Sequence, residues 1–363
     1  MADLAALVTG LMADGSFARL ASNPLAQFGM PARSYLGATL LPEMMVEENA
    51  YREDAIKYRT VIANDGTRYS PAQKKGSELI GSFLVELAHQ DIATEMTGRA
   101  FDALIKLLGR NVSMEAAAQI VNFVDTTITL ALAEKTELQR WQAIVGASVP
   151  LTGDNAYAET VAYANPANHR AAAASVWSTD ANDPFVDILT QVDLLASKGF
   201  TVSRIIAPRT VISILAGNDK VKARTGLPIV NVNGVISVNQ ARATTAAIND
   251  ALSRDGLPPI ESYDLQYRTQ TGSAYFLART VMVFIAETGR DAQIDLADLS
   301  PVVLRNTLGY AAIGRAVGQA TPGRVIRAEA FTNKPPRIEA EGWQTSLPVI
   351  VEPEAIAVIT GIS

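Results

Sequence analysis

The sequence predicts an α+β fold built from one long helix, a domain of alternating helices and strands, and strands that return at the end of the chain. Positions 114–145 contain no Pro or Gly and repeat apolar residues three or four apart, the period of an amphipathic helix. Positions 176–330 alternate helix and strand patterns, which is typical of an α/β domain. The returning strand patterns lie at 325–331, 337–344, 347–351 and 356–360.

The bulk composition indicates a globular protein and excludes several classes of site. The chain has 363 residues, enough for two or three packed units, with 48% hydrophobic and 19% charged residues. It contains no Cys, so disulfides, thiolate metal sites and Cys nucleophiles are excluded. The net charge of −6 argues against a broad basic surface that grips nucleic acid, but it is compatible with enclosing nucleic acid. The start of the chain carries Asp3 instead of a basic segment, so we expect no signal peptide.

Residues 1–46 are predicted to form an N-terminal arm. Short apolar stretches alternate there with Gly and Pro, and only Leu4–Met12 has the pattern of a short helix. Tyr35 and Leu40 are among the apolar anchors of this segment. Two interpretations stay open: a loosely packed terminus, or an arm whose anchors contact a neighbouring subunit, because exposed apolar groups need a partner.

Residues 47–88 are predicted to form a long β-hairpin. The stretch 55–63 alternates, and Asp65-Gly66 is a favoured two-residue turn because both positions require positive φ. Strand patterns return at 67–69 and 79–87. The strands carry many charges, which favours a hairpin that reaches away from the core, although an ordinary surface hairpin remains the alternative. Its candidate interface side chains are Lys57, Tyr58, Arg59, Asp65, Gly66, Arg68, Lys74 and Lys75.

A helix is predicted at 93–108, and the long helix follows at 114–145. At 1.5 Å per residue the second helix would be roughly 48 Å long. Ser113 is its candidate N-cap and Gly146 its candidate stop. Charged residues interrupt it, so we do not expect it to span a membrane. The β-branched residues within 125–129 disfavour regular helix, and we expect a slight bend there.

After a turn region at 150–155 and a strand at 157–164, the α/β domain begins. Asp183-Pro184 opens a helix that runs to residue 195, with Asp183 or Asn182 as cap and the Pro in the first turn. Further strands are predicted at 202–207, 235–238, 260–265 and 280–286, and further helices at 208–215 and 240–253.

No catalytic, cofactor or metal site is predicted. The chain lacks the Gly-rich phosphate loops and the Gly-x-Ser-x-Gly elbow. Its two histidines, His89 and His169, are far apart, and neither has metal-ligand spacing. Glu339 and Glu341 have the pattern of solvated strand positions. Trp141, Trp177 and Trp343 are interpreted as packing anchors and not as base-stacking platforms.

The order of these features resembles the major capsid proteins of tailed bacteriophages, which share the HK97 fold, and the lambda-type major capsid (head) family in particular. Four stretches carry the resemblance: the arm segment Arg33–Pro42, the helix start Pro184–Leu189 soon after Trp177, the strand-turn-helix Arg204–Thr210, and the closing strands and acidic turn of Glu339–Glu354. The likeness covers nearly the whole chain by architecture, and its motifs are moderately specific.

The resemblance implies an HK97-like division of the chain. It implies an N-terminal arm at 1–46, an extension loop at 47–88, a peripheral domain at 89–175 and 331–352 with the spine helix at 114–145, and an axial domain at 176–330 and 353–363. It also implies a homo-oligomer of pentamers and hexamers that forms an icosahedral shell around double-stranded DNA, assembled in the bacterial host cytoplasm, with no cofactor and no membrane association. Scaffold, portal and decoration proteins are the partners that such a shell would meet.

Two alternatives remain at the level of the sequence. An encapsulin-type shell has the same fold and encloses cargo protein instead of a genome. A two-domain α/β enzyme with an unrecognised site in 176–330 belongs to a different functional class.

Overall fold

The structure is a computed structural model that describes residues 2–17, 35–47, 50–56, 79–110, 113–152, 158–225, 229–232, 235–238, 242–269, 271–288, 292–294, 302–304, 308–331, 333 and 335–363. Within these ranges the strands form two sheets of five strands each and five two-stranded pairs. Helices pack against both of the larger sheets.

The helices are named in chain order. They are α1 (Ala2–Ala13), α2 (Leu36–Leu40), α3 (Gly98–Gly109), α4 (Ser113–Val124), α5 (Leu130–Gly146), α6 (Pro184–Ser197), α7 (Arg209–Gly217), α8 (Asp219–Arg224) and α9 (Thr245–Arg254). A π-turn at Asp125–Thr129 joins α4 to α5, and a short 3-10 helix occupies Pro353–Ala355.

The strands are β1 (Glu43–Met45), β2 (Ala50–Ile56), β3 (Leu79–Glu86), β4 (Ala88–Met96), β5 (Ser148–Thr152), β6 (Ala158–Ala162), β7 (Arg170–Ala172), β8 (Thr201–Ala207), β9 (Ile229–Val232), β10 (Val235–Val238), β11 (Ile260–Ser262), β12 (Gln266–Thr269), β13 (Gly272–Tyr275), β14 (Met282–Glu287), β15 (Ala292–Ile294), β16 (Val302–Leu304), β17 (Gly309–Ile313), β18 (Val325–Phe331), β19 (Arg337–Ile350) and β20 (Ile356–Thr360).

The first large sheet, named the peripheral sheet, consists of β1, β4, β17, β18 and β19 and is centred on β19. This strand pairs antiparallel with β18 along its first half, with β17 along its second half, and with β4 on its other side. The sequence predicted two strands here, separated before Pro348. They form one strand, in which β4 ends opposite Ser346, so Pro348 interrupts no hydrogen bond to β4.

The predicted long helix is present as Ser113–Gly146, named the spine helix, and its Thr-rich middle forms the π-turn. The Leu130 N–H donates to the Asp125 carbonyl, five residues back instead of four. The hydroxyl of Thr126 donates to the Asn122 carbonyl, and that of Thr127 to the Phe123 carbonyl at 2.7 Å. The two threonine hydroxyls thus find acceptors within the helix itself, while the predicted bend stays a prediction.

The π-turn lies directly against the peripheral sheet at Gly342. A Cβ built on Gly342 would lie 2.2 Å from Cγ2 of Ile128, closer than any real carbon contact. Only glycine therefore lets the helix approach β19 at this point. On the same side of the sheet, α1 and α3 join the apolar core through Leu4, Val8 and Leu104.

The spine helix ends one residue later than the sequence predicted. Ala147, not Gly146, takes the left-handed conformation, with φ of 48°. The guanidinium of Arg170 completes the end by donating to the Ile144 carbonyl at 2.9 Å and the Val145 carbonyl at 3.1 Å. Burial lowers the pKa of Arg170 to about 10.

By length and composition alone the spine helix could cross a membrane, since its most apolar stretch has a mean hydropathy of 1.3. Half of that stretch is buried inside the protein. Core helices of water-soluble folds meet the same criterion, and this helix packs on β19 and β5.

The second large sheet, named the axial sheet, has the strand order β11-β8-β14-β20-β7. Its central strands are almost wholly buried and apolar, as in Ile205–Ala207, Val283–Ile285 and Ile356–Ile359. Helix α6 packs on β8 and β20, and its predicted cap is present: the Asp183 carboxylate accepts from the Phe185 N–H at 3.1 Å.

Several predicted boundaries differ from the structure. Residues 93–96 belong to β4 instead of opening the following helix, because the charged residues of 88–96 alternate on the exposed side of a strand. Residues 148–152, read partly as a turn, form β5. Strand β17 and all but the last residue of β18 fall inside the predicted axial range 176–330 but pair with β19 in the peripheral sheet.

Candidate functional site

A buried carboxylate, Glu137, stands where the arm, the spine helix and the axial part of the chain meet. Its side chain is fully buried. Four donors reach its two oxygens: the Gly37 N–H at 2.9 Å, Arg140 Nη1 at 3.3 Å, Trp141 Nε1 at 2.7 Å and the Tyr263 hydroxyl at 2.7 Å. Such saturation is what a buried charge requires if it is not to destabilise the fold.

Helical spacing brings three of these groups together. Glu137, Arg140 and Trp141 are separated by three and four residues on α5, so they share one face. The Trp141 ring stacks on the Tyr263 ring with centroids 4.9 Å apart. Burial, reinforced by the negative charge of Glu137, raises the pKa of Tyr263, which keeps its hydroxyl a donor.

The arm enters this site through Gly37, in the first turn of α2. A Cβ at this position would lie 2.7 Å from both oxygens of Glu137, so a larger residue would displace the carboxylate. The glycine therefore allows its own N–H to reach Glu137 and fixes the arm to the spine helix.

A second carboxylate, Glu43 in β1, bridges two buried arginines. Arg324 donates to both of its oxygens, at 2.7 Å and 2.9 Å, and Arg140 Nη2 lies 3.4 Å from one of them. The bidentate geometry is the stronger of the two contacts. Burial acts to raise the pKa of Glu43, but the hydrogen bonds and charges of Arg324 and Arg140 outweigh it and hold this pKa below its ordinary value.

A chain of amides continues the network into the peripheral sheet. Arg324 Nε donates to Gln344 Oε1 at 2.6 Å, and Gln344 Nε2 donates to Gln90 Oε1 at 2.5 Å and to the Thr136 hydroxyl at 3.0 Å. Gln90 Nε2 in turn donates to Gln139 Oε1 at 2.8 Å. We name the whole set the polar junction; its members are Gly37, Glu43, Gln90, Thr136, Glu137, Gln139, Arg140, Trp141, Tyr263, Arg324 and Gln344.

The polar junction fastens distant parts of the chain to one another. Both of its carboxylates are occupied by hydrogen-bond donors. Across the described ranges, no group of three His, Asp or Glu side chains has the geometry to hold a metal ion. A groove of 470 Å³ between α1 and β18 is lined by aliphatic, hydroxyl and charged side chains, including Met12, Arg327 and Glu329.

The candidate interface residues of the arm lie inside their own chain. Tyr35 and Leu40 are 4% and 7% exposed, and the Tyr35 ring meets Phe276 edge to face at 6.0 Å. In the single chain both are core residues. The hairpin candidates Lys57, Tyr58, Arg59, Asp65, Gly66, Arg68, Lys74 and Lys75 lie outside the described residues.

Sequence reasoning missed the polar junction because its members come from segments far apart in the chain. Glu137 and Arg140 were read as polar interruptions of the long helix. Their spacing from the apolar Ala133 and Ile144 is the signal that places them on the buried face. Trp141 and Trp177 are buried packing anchors, as predicted.

Comparisons with known proteins agree with the resemblance drawn from the sequence. The family model described as phage major capsid protein E matches residues 84–294, more than half of the chain. No curated protein matches the chain.

Solved structures support the fold. The capsid protein assigned to a prophage of E. coli CFT073 is 15% identical, with a TM-score of 0.52 over 78% of this chain and 80% of that one. A phage-related protein from Bordetella bronchiseptica RB50 is 14% identical, with a TM-score of 0.49 over 92% and 93%. The first shows the HK97-like fold, and the match to the family model shows membership. The chain belongs to the phage major capsid protein E family, and it is a shell-forming structural protein of the phage capsid.

Proposed function

We propose that this chain assembles as pentamers and hexamers into an icosahedral shell that encloses the double-stranded DNA of a tailed phage. Membership in the capsid family is the observation that carries the proposal. Assembly takes place in the bacterial host cytoplasm, and the chain acts as a structural subunit without catalysis.

The contacts of the described residues support different roles for the polar junction and for the hairpin within the subunit. The polar junction ties the end of the arm, the spine helix and both sheets into one rigid unit. Strands β2 and β3 pair only with each other within the described residues, and β3 leads into β4. A hairpin built in this way can project from the sheet and pair with a neighbouring copy. We therefore propose residues 47–88 as the extension loop.

The charge of the chain fits a container for DNA. With a net charge of −6, the subunit would hold packaged DNA without gripping it, and a strongly basic inner wall would slow packing and release. Many modest contacts between copies sum to a stable shell.

The test is assembly of the purified protein, followed by gel filtration and electron microscopy across salt concentrations and with added scaffold protein. We expect closed shells with fivefold and sixfold clusters. A protein that stays monomeric or dimeric under all of these conditions would contradict the proposal.

Deletion of residues 58–75 tests the extension loop separately. We expect the deleted chain to keep the circular dichroism and thermal transition of the core and to form no shells. Normal assembly of this variant would show that the loop assignment is wrong while leaving the shell function intact.

A further inference from the structure

One face of helix α7 carries an unusual concentration of positive charge. Arg209, Thr210 and Ser213 lie on this face, because residues one turn apart are neighbours and Val211, Ile212 and Leu215 point into the core. Two arginines from other segments are bound to the two hydroxyls. Arg279 Nε donates to Thr210 Oγ1 at 2.9 Å, and Arg242 Nη1 donates to Ser213 Oγ at 2.8 Å. We name Arg209, Arg242 and Arg279 the arginine face.

The guanidinium groups of Arg242 and Arg279 are held in place by these hydrogen bonds but are not neutralised. All three residues are exposed. In the part of the chain that the structure describes, none of them has a carboxylate within ion-pair distance, whereas Arg204, Arg224 and Arg254 each do. The Arg279 guanidinium also lies over the Tyr275 ring at 5.3 Å, which further limits its freedom. Ordered guanidinium groups without an ion-pair partner are preorganised to bind carboxylates or phosphates.

The same chain exposes a negatively charged surface elsewhere. Glu329, Glu339 and Glu95 stand directly opposite one another on β18, β19 and β4. They point away from the spine helix, since the alternate residues Ile338 and Ala340 are buried. Like charges in adjacent cross-strand positions are destabilising, and Arg337 offsets only part of this repulsion by contacting Glu339 and Glu95. We name these three glutamates the glutamate row.

We propose that the arginine face binds the glutamate row of a second copy of this chain, an inference that rests on the proposed shell function. The glutamate row lies on the peripheral sheet, whereas the arginine face lies on α7 and two neighbouring loops, and the two form no ion pair with each other within the described residues. A contact between two different surfaces of identical copies is heterologous, and repeated contacts of this kind form a ring when the rotation between copies closes. Rings are what pentamers and hexamers require.

Duplex DNA is the less fitting partner. Three arginines grouped around a nine-residue helix offer few phosphate contacts, and the carboxylate of Asp264 accepts from the backbone N–H of Arg209 at the start of that helix. A small group of fixed guanidiniums instead suits pairing with individual carboxylates.

The test reverses the charges on one surface and then on both. R242E/R279E should fold normally, because exposed substitutions change stability little. Its assembly rate, followed by light scattering and electron microscopy at low salt, should fall by about tenfold or more, since like charges are brought together at the contact. K198E/R254E is the matched control: it makes the same change in net charge at two other exposed positions and should assemble like the wild type.

Reversal of the glutamate row provides the rescue. E95R/E329R should impair assembly alone, and a chain carrying all four substitutions should assemble within about threefold of the wild type, because complementarity is restored with opposite signs. A merely structural role for either surface predicts no rescue.

Three results would overturn the proposal. R242E/R279E could assemble at the wild-type rate, the four-substitution chain could fail to recover, or R242E/R279E could lose affinity for duplex DNA in a salt titration while assembly is unchanged. If the wild type forms no shells, the proposed function fails first. Self-association measured by sedimentation velocity at low salt then tests the contact between the arginine face and the glutamate row. Equal self-association of the wild type and R242E/R279E would contradict this contact.

Discussion

The axial sheet and the polar junction are both largely buried, although the Glu43 side chain of the junction is 28% exposed, and they use opposite chemistry. The axial sheet excludes water with Ile, Val, Ala and Phe, so its stability comes from apolar area and close packing. The polar junction contains carboxylates, guanidiniums and amides whose value depends on every partner being present. A sheet interior of this kind tolerates small changes of shape, whereas a connected polar network favours one arrangement of the segments it joins.

The largest expected effect is at Glu137. E137L removes the acceptor of four donors and leaves the buried Arg140 without this partner, so we expect a loss of about 3–5 kcal/mol in the free energy of unfolding. The matched change in the axial sheet, I206V, should cost about 0.5–1.5 kcal/mol. Urea unfolding followed by fluorescence measures both. Equal losses would show that the two regions do not differ in the way described.

A smaller effect is expected at Gly342. G342A places a methyl group against Ile128, and we expect a loss of about 1–3 kcal/mol from overpacking. G109A is the control, since a Cβ there meets nothing within 4 Å. In a double-mutant cycle with I128A, the cost of G342A should shrink. If that cost stays the same in the I128A background, the contact between helix and sheet is not the cause.

Acid should weaken the polar junction before it affects the axial sheet. The pKa of Glu43 is lowered in the folded protein, so its contribution is complete above its ordinary value of 4.5 and is lost as the pH falls through the lower, folded-state pKa. E43Q should reduce this acid-dependent part of the unfolding free energy. Unfolding curves measured from pH 6 downward for both proteins make the comparison, and parallel pH profiles would exclude Glu43 as the source.

The smallest effect is expected at Asp125. Burial raises the pKa of its carboxyl in the folded protein, so its contribution favours folding at low pH and is lost as the pH rises from its ordinary value of 3.8 through the folded-state pKa. D125N should therefore have a thermal unfolding midpoint equal to or slightly above that of the wild type at pH 7. The difference between the two midpoints should disappear in acid. A marked loss at pH 7 would mean that the charged form is needed by the π-turn.

The sequence predicted the elements that depend on local pattern. The spine helix, the Asp183 cap and the strands 202–207, 325–331 and 356–360 follow from periodicity and capping chemistry. The polar junction could not be predicted in this way. Gly37 and Glu137 lie 100 residues apart, and their contact depends on how two segments pack. Helix propensity also gave no account of Thr126 and Thr127, whose hydroxyls donate to carbonyls four residues back in the helix.

The π-turn affects the direction in which the buried residues of the spine helix face along its length. Eight of its buried residues are spaced four apart: Ala116, Ile120, Val124, Ile128, Leu132, Thr136, Arg140 and Ile144. In a regular helix each step of four overshoots a full turn by about 40°, so the row would rotate by about 280° from end to end. One extra residue in a turn returns roughly 100° of that rotation. The π-turn thus sets the angle between the buried faces of the two halves of the spine helix. One residue could be deleted within 125–129 without turning either half away from the residues it packs against.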